Sequence, residues 1–211
     1  MTAAAGPAPA PDPSPDRNSD RNPDRNPDRS RDRTDWTLLR LALVGAAVAI
    51  GLGAFGRVHR PTGIAVDLAG FSGPMQVKVA LATLSGALAV IQLVSALAMY
   101  GRLPGLGRLT GRPWLSAAHR WSGRLAFVAA VPVAIHCLYA LGLQTFDLRV
   151  LAHSLLGCAF FGVFTTKMLA LTRRGLPGWT LPLLGGLAFA ALVGVWLTSA
   201  LWFFSTVGVQ L

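Results

Sequence analysis

Five apolar stretches, near residues 37–56, 77–100, 118–142, 150–171 and 180–204, occupy most of the chain beyond Trp36. Each reaches the roughly 20 residues that an α-helix needs to cross the hydrocarbon core of a bilayer. Backbone N–H and C=O groups find no water there and must pair within their own segment, so the stretches are read as helices. The expected fold is an all-α integral membrane protein, with five transmembrane helices in a bundle over residues 36–211 and a disordered N-terminal tail over residues 1–35. The spans are rich in Ala and Gly, which let helices approach closely where lipid removes the hydrophobic drive for association.

The tail has a different chemistry. From Asp16 it reads DRNS, DRNP, DRNP, DRSR, DRTD, a four-residue repeat after a Pro/Ala-rich start. Its six Arg and seven Asp nearly cancel, and nothing apolar is present to offset the entropy of ordering. Two readings stay open: a solubilising leader, or a docking segment for a cytoplasmic partner. The first apolar run follows this polar segment without an evident cleavage site, as an uncleaved anchor does.

Beyond the tail, thirteen Lys or Arg stand against only Asp67 and Asp147, and the chain contains no Glu. So basic a sequence raises nucleic acid as a partner. Here the cations flank apolar spans, which points to membrane lipids and topology signals instead, and nucleic acid is set aside. Arg102, Arg108 and Arg112 fall between the second and third spans, and Arg173 and Arg174 between the fourth and fifth, with Lys167 snorkelling from the fourth. The opposite side holds Arg57, Arg60, Lys78 and Arg149, offset by both acids. The positive-inside rule then predicts a multi-pass protein of the cell membrane, N-terminus cytoplasmic and C-terminus extracytoplasmic.

The lack of carboxylates excludes paired-carboxylate acid/base catalysis and carboxylate metal sites. No Walker A, GxSxG, HExxH or CxxCH pattern occurs. Cys137 and Cys158 lie in separate spans without CxxC spacing and read as small buried apolar residues. Gln92, Ser95, Thr165 and Thr166 read as interhelical glue, with contact to a quinone headgroup as the other reading.

Chemistry is concentrated in the histidines. His119 and His136 bracket the third span, and His153 opens the fourth. A neutral imidazole in hydrocarbon is costly unless its N–H is accepted and its lone pair used, and a haem iron is one such partner. The third span runs outward and the fourth inward, so at 1.5 Å per residue His136 and His153 lie at similar depth near the outer face. They are the expected ligands of one haem b. His119 lies 17 residues before His136, at the other end and about 100° away in azimuth, a candidate for a second site or a propionate contact. Gly123 and Gly157 follow His119 and His153 by one turn and clear room for a flat macrocycle. Arg149 beside His153, and Arg120 and Arg124 beside His119, are expected to pair with propionates. His59 reads as a solvated loop residue.

The segments "HRWSGRLAF" and "AHSLLG", with His136 between them, resemble the transmembrane haem-binding class of cytochrome b561-type proteins and ferric reductase transmembrane domains. The whole chain is also similar to actinobacterial five-span membrane proteins of no assigned role. The first resemblance implies bis-histidine haem b and electron transfer through or to the membrane face. The second and fifth spans hold no histidine, which departs from a two-haem pattern. The expected function is that of a membrane-bound b-type cytochrome-like protein, an oxidoreductase or electron-transfer subunit, relaying electrons between quinol and an extracytoplasmic redox protein. The alternative is a non-redox membrane scaffold or assembly subunit whose tail recruits a cytoplasmic partner.

Overall fold

The computed structural model describes residue 6 and residues 27–64, 73–105 and 110–208, and holds no β-strand among them. Helix α1 spans Pro27–Val58, α2 Pro74–Met99, and α3 Pro113–Ile135, which runs on into a π-helical segment, His136–Leu141. Helix α4 spans Leu148–Leu171, and α5 Thr180–Trp196 continues through a second π-helical segment, Leu197–Leu201, to a last α-helical turn, Trp202–Thr206. Five of these helical runs are long and apolar enough to cross a membrane: Thr34–Val58, Pro74–Met99, Pro113–Leu141, Leu148–Leu171 and Thr180–Thr206. The protein is a five-helix multi-pass membrane protein. Its outer surface is apolar as a lipid-facing surface must be, with Ile50 70% and Val128 64% exposed.

One boundary differs from expectation. Residues 27–35, expected in the disordered tail, are helical. Extending an existing helix backwards needs no new nucleus, and Pro27 is tolerated in the first turn, where its missing N–H has no intrahelical partner. The rest of the expected tail (residue 6 aside), with Asp67 and Arg108, lies outside the described residues.

Local signals explain the other ends. Pro74 and Pro113 open α2 and α3 from the first turn. Asp147 caps α4 by accepting from Val150 N at 2.7 Å. Gly142 ends the α3 run at φ 73° and lets Leu143 N reach Gly56 O at 2.7 Å.

The packed pairs are α2 with α3, α1 with α4, α4 with α5, and α2 with α5. Small residues make the tight crossings. A Cβ on Gly45 would fall 2.6 Å from Gly162 O, so α1 and α4 touch backbone to backbone. Ser85, 1% exposed, donates to Ala126 O at 2.9 Å between α2 and α3. Trp196 Nε1 donates to Thr83 Oγ1 at 3.2 Å between α5 and α2. Between the consecutive helices α3 and α4, large rings meet instead: Phe127 stacks on Phe164 at 4.2 Å and meets Phe161 edge-on at 5.8 Å. Rings hold two helices further apart than glycines do, and above them the gap opens.

Candidate cofactor site between α3 and α4

That gap is a cavity of about 790 Å³, walled by α2, α3, α4 and α5, with Leu52 of α1, at the end of the bundle where α3 stops and α4 starts. Its lining is mainly Leu, Val, Ala and Phe, with polar groups that include Lys78, Cys137, Arg149, His153 and Thr198 beside several Ser and Gln144. An apolar hollow of this size with few convergent polar groups is the usual form of a small-molecule or cofactor site.

His153 is the best-defined of them. Its Nδ1 lies 3.2 Å from Thr198 Oγ1. That hydroxyl donates to Gly194 O at 2.7 Å, so its single proton is committed and its oxygen accepts from His153 Nδ1–H. The tautomer is thereby set, and the lone pair is on Nε2. Second-sphere locking of this kind is what orients metal-binding imidazoles. On the far side of the gap, Cys137 Sγ lies 3.9 Å from Nε2.

Arg149 is on the same wall. Its Nη1 donates to Thr198 O at 2.7 Å, its guanidinium lies 4.0 Å over the Trp202 ring, and Asp147 is 3.8 Å away. Arg149 thus ties α4 to the π-helical segment that carries Thr198, and it leaves donors facing the cavity. Gly157 also lines the cavity, and a Cβ there would meet nothing within 4 Å.

Cys137, not the expected His136, is the α3-side residue that the structure brings against His153. Among the described residues that line the cavity His136 is absent, and its neighbour Cys137 faces His153. Consecutive helical residues differ by about 100° in azimuth, and Pro132 and the π-helical turn set which one points inward.

His119 sits at the opposite end in a polar clasp between α2 and α3. Its Nδ1 is 2.9 Å from Ser95 Oγ, which donates to Gln92 O at 3.0 Å. Gln92 Nε2 donates to His119 O and, at 3.0 Å, to Ser122 Oγ. Gly123 serves this clasp, since a Cβ there would lie 2.9 Å from Gln92 Nε2. It clears room for an amide, not for a macrocycle. Arg120 reaches Ser116 Oγ at 3.4 Å and Arg124 lies 5.1 Å over Trp121, both exposed at that end. The glue reading holds for Gln92, and for Thr166, whose Oγ1 lies 3.3 Å from Leu41 O on α1. Thr165 bonds only to Phe161 O of its own helix among the described contacts.

His59 is not a solvated loop residue. It is sandwiched between Phe55 at 4.9 Å and Tyr139 at 4.6 Å, pinning the chain after α1 to the end of α3. Thr62 N and Gly63 N add bonds to Tyr139 O and Ala140 O, occupying carbonyls that a helix end leaves free.

Cys137, Thr198 and Lys78 were not singled out as site residues from the sequence. The His-Cys dipeptide was the available signal for Cys137, because one residue or the other must face inward. Thr198 had no signal, as its role depends on which helix packs beside α4.

No curated protein and no solved structure matches the chain. One family model, described as a family of unknown function, DUF6529, matches residues 38–211, from within α1 to the C-terminus. The chain belongs to that family.

Proposed function

We propose that the protein is a membrane-bound electron-transfer protein whose cavity between α3 and α4 would hold haem b, with His153 as the residue that would bind its iron. The observation that carries this reading is the His153 ring, with Nδ1–H engaged by Thr198 and the Nε2 lone pair presented across a gap between two helices that phenylalanine rings hold apart. The donor set fits the group: an imidazole of fixed tautomer, an apolar enclosure of about 790 Å³, and the cations Arg149 and Lys78 for its acidic side chains. A bound haem would supply reversible one-electron chemistry. The chain's own parts exclude water through the Leu, Val and Phe lining, hold the imidazole through Thr198, and brace the wall through Arg149.

The excess of Lys and Arg on the loops at the His119 end supports a cytoplasmic position for that end. The cavity then lies in the extracytoplasmic half, open to quinol within the membrane or to a redox protein outside. The test is haem content and a reduced-minus-oxidised absorption spectrum of protein purified from cells supplied with a haem precursor. His153→Ala is expected to lose haem, while His136→Ala and His119→Ala retain it. Absence of haem absorption, or absorption indifferent to His153, overturns the reading.

A further inference from the structure

The side chain that meets His153 across the gap belongs to α3, and we infer that Cys137 Sγ and His153 Nε2 form a thiolate–imidazole pair that binds a transition metal. The separation suits an ion between them. Bonds of about 2.0–2.1 Å to nitrogen and about 2.3 Å to sulfur would place the two donors at most about 4.4 Å apart. The observed 3.9 Å accepts an ion in a bent bridge, or in line after the helices part by about half an ångström.

Three further features favour a metal over a plain S–H to nitrogen hydrogen bond. Thr198 keeps the Nε2 lone pair free, which a metal requires. Both donors stand on or beside π-helical segments, Cys137 within His136–Leu141 and His153 against Leu197–Leu201, and such segments recur at functional sites. The cavity adjoins the pair on its open side. No cluster of three or more His, Cys, Asp or Glu forms among the described residues, so the protein would supply two strong donors and leave the remaining positions open. That suits a metal that brings its own in-plane ligands or one content with few. Binding releases the thiol proton to solvent, and the metal replaces the S–H···N contact.

Thiolate plus imidazole is the shared chemistry of two sources, haem iron and bare Cu(I). The haem arm rests on the function proposed above; the copper arm does not. Both are tested on full-length protein in detergent, one arm reconstituted with haemin and one titrated with Cu(I) against a chromogenic chelator. Wild type is expected to give the red-shifted ferrous–carbonyl band of thiolate ligation in the first arm, or one equivalent of retained copper in the second. Cys137→Ser, close in size, is expected to lose that band or to weaken copper by more than about tenfold, since even second-sphere changes cost 10- to 100-fold. Cys137→His is expected to convert a haem spectrum to the bis-imidazole type, and Cys158→Ser to change neither. Haem bound with a spectrum unchanged by Cys137→Ser overturns the pair and spares the haem reading. Copper bound through Cys137 without haem does the reverse. No binding of either metal, or copper binding indifferent to Cys137, overturns the inference.

Discussion

A single hydroxyl decides what His153 offers. Thr198 Oγ1–H donates to Gly194 O and its oxygen accepts from Nδ1–H, which sets the tautomer of the ring. Thr198→Val keeps the shape and removes the acceptor. Nδ1–H then has only the Val195 backbone to bond, loss of the better acceptor costs about 0.5–1.5 kcal/mol, and the tautomer with its proton on Nε2, beside Cys137, competes. The expected outcome is a 10- to 100-fold weaker affinity in a haemin titration, with Thr198→Ser restoring it. An unchanged affinity would mean that the lone pair on Nε2 is not what holds the ligand. His119 shows that the same device is used without a cavity: Ser95 commits its proton to Gln92 O and accepts from Nδ1, but the site around it is filled by Gln92 and Ser122. A fixed imidazole is therefore a necessary feature of a ligand position and an insufficient one.

Helices set which residues those hydroxyls meet. The bend-prone end of α3, with Pro132 inside it and a π-helical turn beyond, is held by the chain after α1 through the His59 sandwich and the Leu143 N to Gly56 O bond. Gly142 is the hinge of that arrangement. Gly142→Ala puts a Cβ 3.0 Å from Gly56 O at φ 73° and ψ 178°, a backbone region essentially reserved for glycine that costs an L-residue on the order of 1–3 kcal/mol. The variant is expected to lower resistance to SDS denaturation by at least that amount, and to reduce cofactor retention because the 136–141 segment is no longer clamped. Stability equal to wild type would show that this loop does not brace the site. The same elements show what was readable in advance. Length and apolarity announced the five spans, because a bilayer leaves a backbone no alternative. The depth match between the ends of α3 and α4 was also readable, since rise per residue is constant. Azimuth was not. Choosing between His136 and Cys137 needs the helix rotation to within about half of the 100° step, and a proline followed by a π-helical turn shifts it by a comparable amount. Nor could the sequence foretell that α3 and α4, neighbours in the chain, would be spaced by phenylalanine rings while α1 and α4 close on glycine.

At the scale of the molecule, an odd number of spans puts the chain's two ends on opposite faces, and the cavity belongs to the face where α5 ends. Which face that is decides the partners. Arg102, Arg112, Arg173 and Arg174 lie on loops at the His119 end with Arg120 and Arg124 exposed beside them, whereas the cavity end has Arg57, Arg60, Lys78 and Arg149, the last tied to Asp147 and Trp202. Each cation left on the outer side opposes insertion in that sense, so the imbalance favours holding the His119 end in the cytoplasm. A fluorescent protein that matures only in the cytoplasm is expected to light up when fused before residue 1. Alkaline phosphatase, active only outside, is expected to work when fused after Leu211. Removing the bias, by Arg173→Ala with Arg174→Ala, is expected to give a mixed population. If the reporters read the opposite way, the cavity faces the cytoplasm and any electron acceptor must be sought there. The pairing of His153 with Cys137 stands in either case, because it depends on how the helices pack and not on how the bundle is inserted.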